Sequence, residues 1–121
     1  MENSCTVWHS SLTEENKEDL ERIQKTSLKI IFNNDYKSYE NALNMLGLET
    51  LEIRRTNLCL LFAKKSVKND KMKHLFQQNN KIHIMKTRNT ETYQVTHAKK
   101  ERLKRSSIPY MQKLLNNEAQ T

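Results

Sequence analysis

"SLTEENKEDLERIQKTSLKIIF" (residues 11–32) is the stretch whose reading decides the fold. Leu20, Ile23, Ser27, Ile30 and Ile31 recur at spacings of three and four, the period of one helix face. Leu28 and Phe32 widen that stripe. Ser11 with Glu14 three residues on reads as a capping box. Glu14, Glu15, Glu18 and Asp19 load the opening turns with the sign the helix dipole favours. The cluster Asn33-Asn34-Asp35 then stops the helix.

Working outward, a short second helix is expected after Ser38, with Tyr39, Ala42, Leu43 and Leu46 on one face. Gly47, the only glycine, stands where a helix C-terminus takes the left-handed conformation, and Leu48 supplies the apolar contact of a Schellman end. Thr50 caps a third helix running to about Val67. Leu51, Arg55, Leu58, Cys59, Phe62 and Ser66 line one side of it, broadened by Leu61 and Ala63. Beyond Lys64 the character changes. A short helix capped by Asn69 or Asp70 would turn Met72, Leu75 and Phe76 inward. Ile82/Ile84 and Tyr93/Val95 alternate, which predicts a small extended pair around Arg88-Asn89-Thr90. The basic stretch "THAKKERLKR" has room for one or two helical turns. In "SSIPYMQKLLNN", Ser107 is the expected cap, Pro109 sits in a first turn that tolerates it, and Ile108, Met111, Leu114 and Leu115 are apolar.

With one Gly and one Pro, the chain lacks the turn residues of a sandwich or barrel. The fold expected is mainly α: a small cluster of three main helices, residues 1–68, plus a basic, partly irregular C-terminal half, residues 69–121, packed on it or trailing from it and ending in a short helix. Hydrophobic residues make up 36% and aromatics 7%, so the core should be thin.

Charge is uneven. Residues 1–60 hold 7 Lys+Arg and 10 Asp+Glu, a net of −3; residues 61–121 hold 14 and 4, a net of +10. An acidic front and a strongly basic back point to a polyanion for the second half, or to a merely solvated lysine surface. The densest cluster is Lys99, Lys100, Arg102, Lys104 and Arg105; Lys64 and Lys65 open the basic half. These seven are the candidate nucleic-acid-binding residues. Arg54 and Arg55 would meet a nucleic-acid backbone or, as more often in an early helical turn, pair with Glu40, Glu49 or Glu52. Trp8 would stack on a base or, more in keeping with its size, pack on the first long helix.

No catalytic constellation is visible. The only aspartates, Asp19, Asp35 and Asp70, stand in cap or loop contexts, and there is no glycine-rich phosphate loop. Cys5 and His9 are spaced by four, but in a segment read as non-helical; His74, His83 and His97 are scattered, without zinc-ligand spacing. Cys59 lies on a core face rather than in a site that would activate a thiol. The longest apolar run, Leu58 to Ala63, is far short of a membrane span, and no signal peptide is seen. The expectation is a soluble, intracellular protein, not an enzyme, with no cofactor, no metal and no membrane partner.

Three blocks resemble the region that follows the polymerase domain in LINE-type (non-LTR) retrotransposon reverse transcriptases. The first carries Cys5, Trp8, Leu20-Glu21-Arg22-Ile23-Gln24 and Ile30-Ile31; the second is "LGLETLEIRRTNLCLLFAKK"; the third is "RSSIPYMQKLLNN". Together they run from Cys5 to Asn117. The family's catalytic palm, with its aspartate pair, has no counterpart here. The resemblance implies a non-catalytic remnant of the C-terminal region, with a structural role or one in holding RNA or DNA, and it implies an upstream polymerase domain as a partner. The early position of Trp8 agrees with an upstream neighbour. From the residues, weak, phosphate-mediated, sequence-independent binding of RNA or DNA is expected of the basic half. An inert structural fragment of a mobile element and a small helical protein-interaction module stand as alternatives.

Overall fold

The computed structural model describes residues 4–79 and 92–120. It is mainly α. The helices are α1 (Cys5–Trp8), α2 (Glu14–Phe32), α3 (Tyr39–Leu46), α4 (Leu51–Lys68), α5 (Glu101–Lys104) and α6 (Ser107–Gln120), with 3-10 turns at His9–Ser11, Asn33–Asp35 and Lys73–Leu75. The chain forms two compact units. One is Leu12–Thr56, here the front unit; the other joins Met1–Ser11 to Asn57–Thr121, here the basic unit. Residues 69–121 thus share a unit with the later turns of α4. Among the described residues no helix is long and apolar enough to cross a membrane.

In the front unit, α2 begins two residues later than the sequence suggests. Thr13, in extended geometry, is the N-cap, and its hydroxyl accepts from Asn16 N at 3.3 Å. Ser11 instead ends the preceding 3-10 turn and donates its hydroxyl to Trp8 O at 2.8 Å. With its side chain committed backwards, it is no cap for α2. The caps of α3 and α4 are as expected: Ser38 accepts from Asn41 N at 3.1 Å and Thr50 from Ile53 N at 3.3 Å. Gly47 has φ 62°, and the paired bonds Leu48 N to Leu43 O (2.9 Å) and Gly47 N to Asn44 O (3.2 Å) make the Schellman end.

The buried face of α2 is not the expected one. Ile23, Ile30 and Ile31 are 50%, 75% and 67% exposed, and Ser27 is exposed. The core is Leu28, Ala42 and Leu43, with Phe32, Tyr36 and Tyr39 packed against it. The polar end of that face settles the rotation of the helix. Glu21 lies seven residues before Leu28; its carboxylate accepts from the Tyr39 hydroxyl at 2.5 Å and from Glu52 N, in the first turn of α4, at 2.9 Å. One side chain thereby holds α3 and caps α4. Lys17 reinforces it, bridging Glu14 (2.8 Å) and Glu52 (3.2 Å).

The basic unit has the larger core: Ala63, Phe76, Met111 and Leu115, with Leu60, Val67, Leu75, Tyr93 and Ile108 against it. Cys59 is also fully buried. Leu75 and Phe76 turn inward as expected, from a turn in which Asn69 Oδ1 accepts from Lys71 N at 2.9 Å. Of the expected extended pair, Tyr93 lies in an isolated antiparallel bridge to Gln78. Around it, Asn79 N donates to Thr92 O (2.9 Å) and Gln94 N to Gln77 O (2.8 Å). Ile82, Ile84 and the turn at Arg88-Asn89-Thr90 lie outside the described residues.

Two amides on one face of α6 hold the irregular segment that follows. Gln112 Oε1 accepts from Thr96 N (2.8 Å) and Thr96 Oγ1 (3.1 Å), while its Nε2 donates to Leu75 O (2.7 Å). Asn116, one turn on, accepts from Tyr93 N (2.7 Å) and donates to Tyr93 O (2.9 Å). These side chains supply the partners a neighbouring strand would give, which lets backbone without regular structure lie against a core. At the other end of the unit, the segment around Cys5 and His9 is helical, contrary to expectation. α1 and its 3-10 turn pack on α6, both side chains are buried, and His9 meets the Tyr110 ring edge-on at 5.7 Å and 78°.

Candidate nucleic-acid interface

The cluster at residues 99–105 is built on a single helical turn. Lys100 enters it extended (φ −97°, ψ 139°), and its carbonyl accepts from Leu103 N at 3.1 Å and Lys104 N at 3.2 Å. Ser106 ends the turn, donating its hydroxyl to Leu103 O at 2.6 Å. Its own carbonyl accepts from Tyr110 N at 3.3 Å, so Ser106 rather than the expected Ser107 precedes α6. So short a helix has little stability of its own. It stands because α6 follows directly and packs with it.

Lys99, Lys100, Arg102, Lys104 and Arg105 are all exposed. Glu101 is the one acidic residue among them, and Lys104 pairs with it at 2.7 Å. The Lys104 ammonium, bonded to that carboxylate, holds the Glu101 carboxyl below its ordinary range; the charges of Arg105 and, from α6, Lys113 act in the same direction. Lys113 therefore belongs to the same patch. The sequence reading missed it because it lies eight residues past Arg105; only the packing of α5 with α6 brings it back. Leu103, 48% exposed, is the apolar exception in the cluster.

Lys64 and Lys65 sit apart from this turn, on α4. Lys64 pairs with Glu118 of α6 at 2.5 Å, so its charge is already met within the protein. Lys65 lies on the edge of a groove lined also by Ser4, Cys5, Thr6, Leu58, Leu61 and Phe62. Arg55 is 2% exposed, which removes it from any phosphate; Arg54 is exposed. Glu52 pairs with Lys17. Trp8 is half-buried in α1.

Elsewhere in the basic unit, His74 and His97 border an open cleft of about 360 Å³ with Gln77, Gln94, Thr96 and Gln112. Among the described residues no three His, Cys, Asp or Glu side chains come together as a metal-ligand set. No protein-family model matches the chain, and neither a curated protein nor a solved structure matches it.

Proposed function

We propose that the chain is a non-catalytic module that holds nucleic acid through phosphate contacts, in the manner implied by its resemblance to the C-terminal region of LINE-type reverse transcriptases. The observation that carries this reading is the exposed cation group Lys99, Lys100, Arg102 and Arg105, gathered on and beside one turn whose single carboxylate, Glu101, is occupied by Lys104. Aromatic rings are not interleaved in that turn, so it reads phosphate without reading bases. Affinity should be on the order of 10⁻⁴–10⁻⁶ M at physiological salt. With those four cations each neutralising a phosphate, log K against log salt should fall with a slope of roughly −3 to −4 on duplex DNA. Titration of labelled RNA and duplex DNA at two salt concentrations tests it. Absence of binding at low salt, or an affinity indifferent to salt, leaves the inert-fragment reading. No Mg²⁺- or Mn²⁺-dependent primer extension is expected, and extension would overturn the non-catalytic reading.

A second reading rests on a different observation. The front unit leaves Ile23, Ile30, Ile31, Met45 and Ile53 at least half exposed. Such a surface suits a protein partner, of which the polymerase domain implied by the resemblance is the first to test, by pull-down with Ile30→Lys as the control.

A further inference from the structure

The groove between α1 and α4 combines features that the basic turn lacks. It has a volume of about 270 Å³ and is lined by Leu58, Leu61 and Phe62, by the hydroxyl residues Ser4 and Thr6, by Cys5 and by Lys65. Leu61 and Phe62 are 54% and 39% exposed, so the apolar floor faces solvent. Phe62 is the aromatic residue among those that line it. Lys65 follows one helical turn later on the same side of α4, and Lys68 continues that row in the last turn. An apolar floor alone would suit many ligands. A lysine one turn from a part-exposed phenylalanine in the same groove suits a ligand that carries a flat apolar face and an anion at short separation. In a nucleic acid, that unit is an unpaired base with its phosphate.

We propose that this groove takes one unpaired base of a single-stranded nucleic acid, with the base on the Phe62 ring and the adjoining phosphate at Lys65. The inference rests on the proposed phosphate-binding function and adds a strand preference to it. Phosphate contacts alone favour a duplex, whose charge density is higher. A base seated on Phe62 reverses that order, because paired bases cannot leave the stack without cost.

The test compares three short oligonucleotides of equal length: a mixed-sequence single strand, its duplex, and an abasic single strand with the same phosphates. The wild-type chain should bind the single strand about tenfold tighter than the abasic strand. Phe62→Ala should erase that difference while leaving duplex affinity unchanged. Phe62→Leu keeps an apolar floor without the ring and should erase most of it, with circular dichroism reporting on the fold of both variants. Lys65→Gln should weaken the single and abasic strands alike. Equal wild-type affinity for the base-bearing and abasic strands would overturn the inference, as would a difference that survives Phe62→Leu. Either outcome leaves salt-dependent phosphate binding standing. Loss of binding to all three strands would remove the proposed function together with the inference.

Discussion

The two units solve the same problem with different means. The front unit, Leu12–Thr56, has 7 Lys+Arg against 9 Asp+Glu and buries three apolar side chains beneath two helices. It relies mostly on local devices, the caps at Thr13, Ser38 and Thr50 and the Gly47 turn, with one longer-range anchor, the Glu21 carboxylate, that gathers α3 and α4. The basic unit carries 14 Lys+Arg against 5 Asp+Glu and folds around contacts between distant parts of the chain. Gln112 reaches back 37 residues to Leu75 and Asn116 reaches back 23 to Tyr93. The contrast teaches that helical content and tertiary order are separate quantities. Among the described residues, the unit with the better-signalled helices leaves more large apolar side chains in water.

The sharpest way to break this comparison is to remove the long-range contacts. Met111→Ala, at a site 2% exposed, should cost about 2–5 kcal/mol by leaving a cavity in the larger core. Chemical denaturation of the basic unit's signal reads it, and an unchanged midpoint would mean that α6 is not the element that orders this unit. Gln112→Ala should cost about 1–2 kcal/mol, since Thr96 N and Leu75 O both lose their partner beside a cleft from which water only partly replaces it. Faster hydrogen exchange at Thr96 in this variant would place the loss at the amide rather than in packing.

In the front unit the corresponding lever is Tyr39. Burial, and then the hydrogen bond to Glu21, push its phenol above the ordinary value of 10.0. A raised folded value means that the neutral hydroxyl is favoured in the folded state. Its contribution is therefore complete below pH 10 and is lost as pH rises above it, because the unfolded phenol releases its proton first. Thermal melts of the wild type should fall between pH 10 and 11, and Tyr39→Phe should flatten that fall while lowering stability at pH 7. A tyrosinate titration by absorbance should contain a late component that disappears in Tyr39→Phe. A late component that survives in Tyr39→Phe would dissolve the Glu21–Tyr39 link.

The smallest expected effects lie at the two surfaces. Replacing Lys99, Lys100 and Arg102 with Ala should flatten the salt slope of nucleic-acid binding by about two to three units and leave the melt within about 0.5 kcal/mol. Ile30→Ala, at 75% exposure, should also lie within about 0.5 kcal/mol. A loss of 2 kcal/mol or more there would show that the isoleucine face of α2 is covered in solution, and the contrast between the units would narrow.

Sequence alone determined what neighbouring residues decide between themselves. The α3 boundaries, the Schellman turn at Gly47, the Thr50 cap of α4 and the position of the cation cluster all depend on partners within about one helical turn or on composition. Sequence located the cap of α2 two residues early because Ser11 with Glu14 fits the capping box, and only the turn that Ser11 makes with Trp8 takes its side chain away and leaves the cap to Thr13. Tertiary structure decided everything that required a partner across space. A period of three and four names a stripe on α2 but not what covers it, and the anchoring of Glu21 on Tyr39 and Glu52 brought Leu28 to the core and left Ile23 and Ile30 outside. Gln112, Asn116 and Lys113 gave no signal of their own, since an amide or a lysine on a helix is usually solvated. Their roles follow from where the chain returns. Packing also divided the candidate cations, committing Lys64 to Glu118 and Lys104 to Glu101 while leaving Lys99, Lys100, Arg102 and Arg105 exposed at the surface.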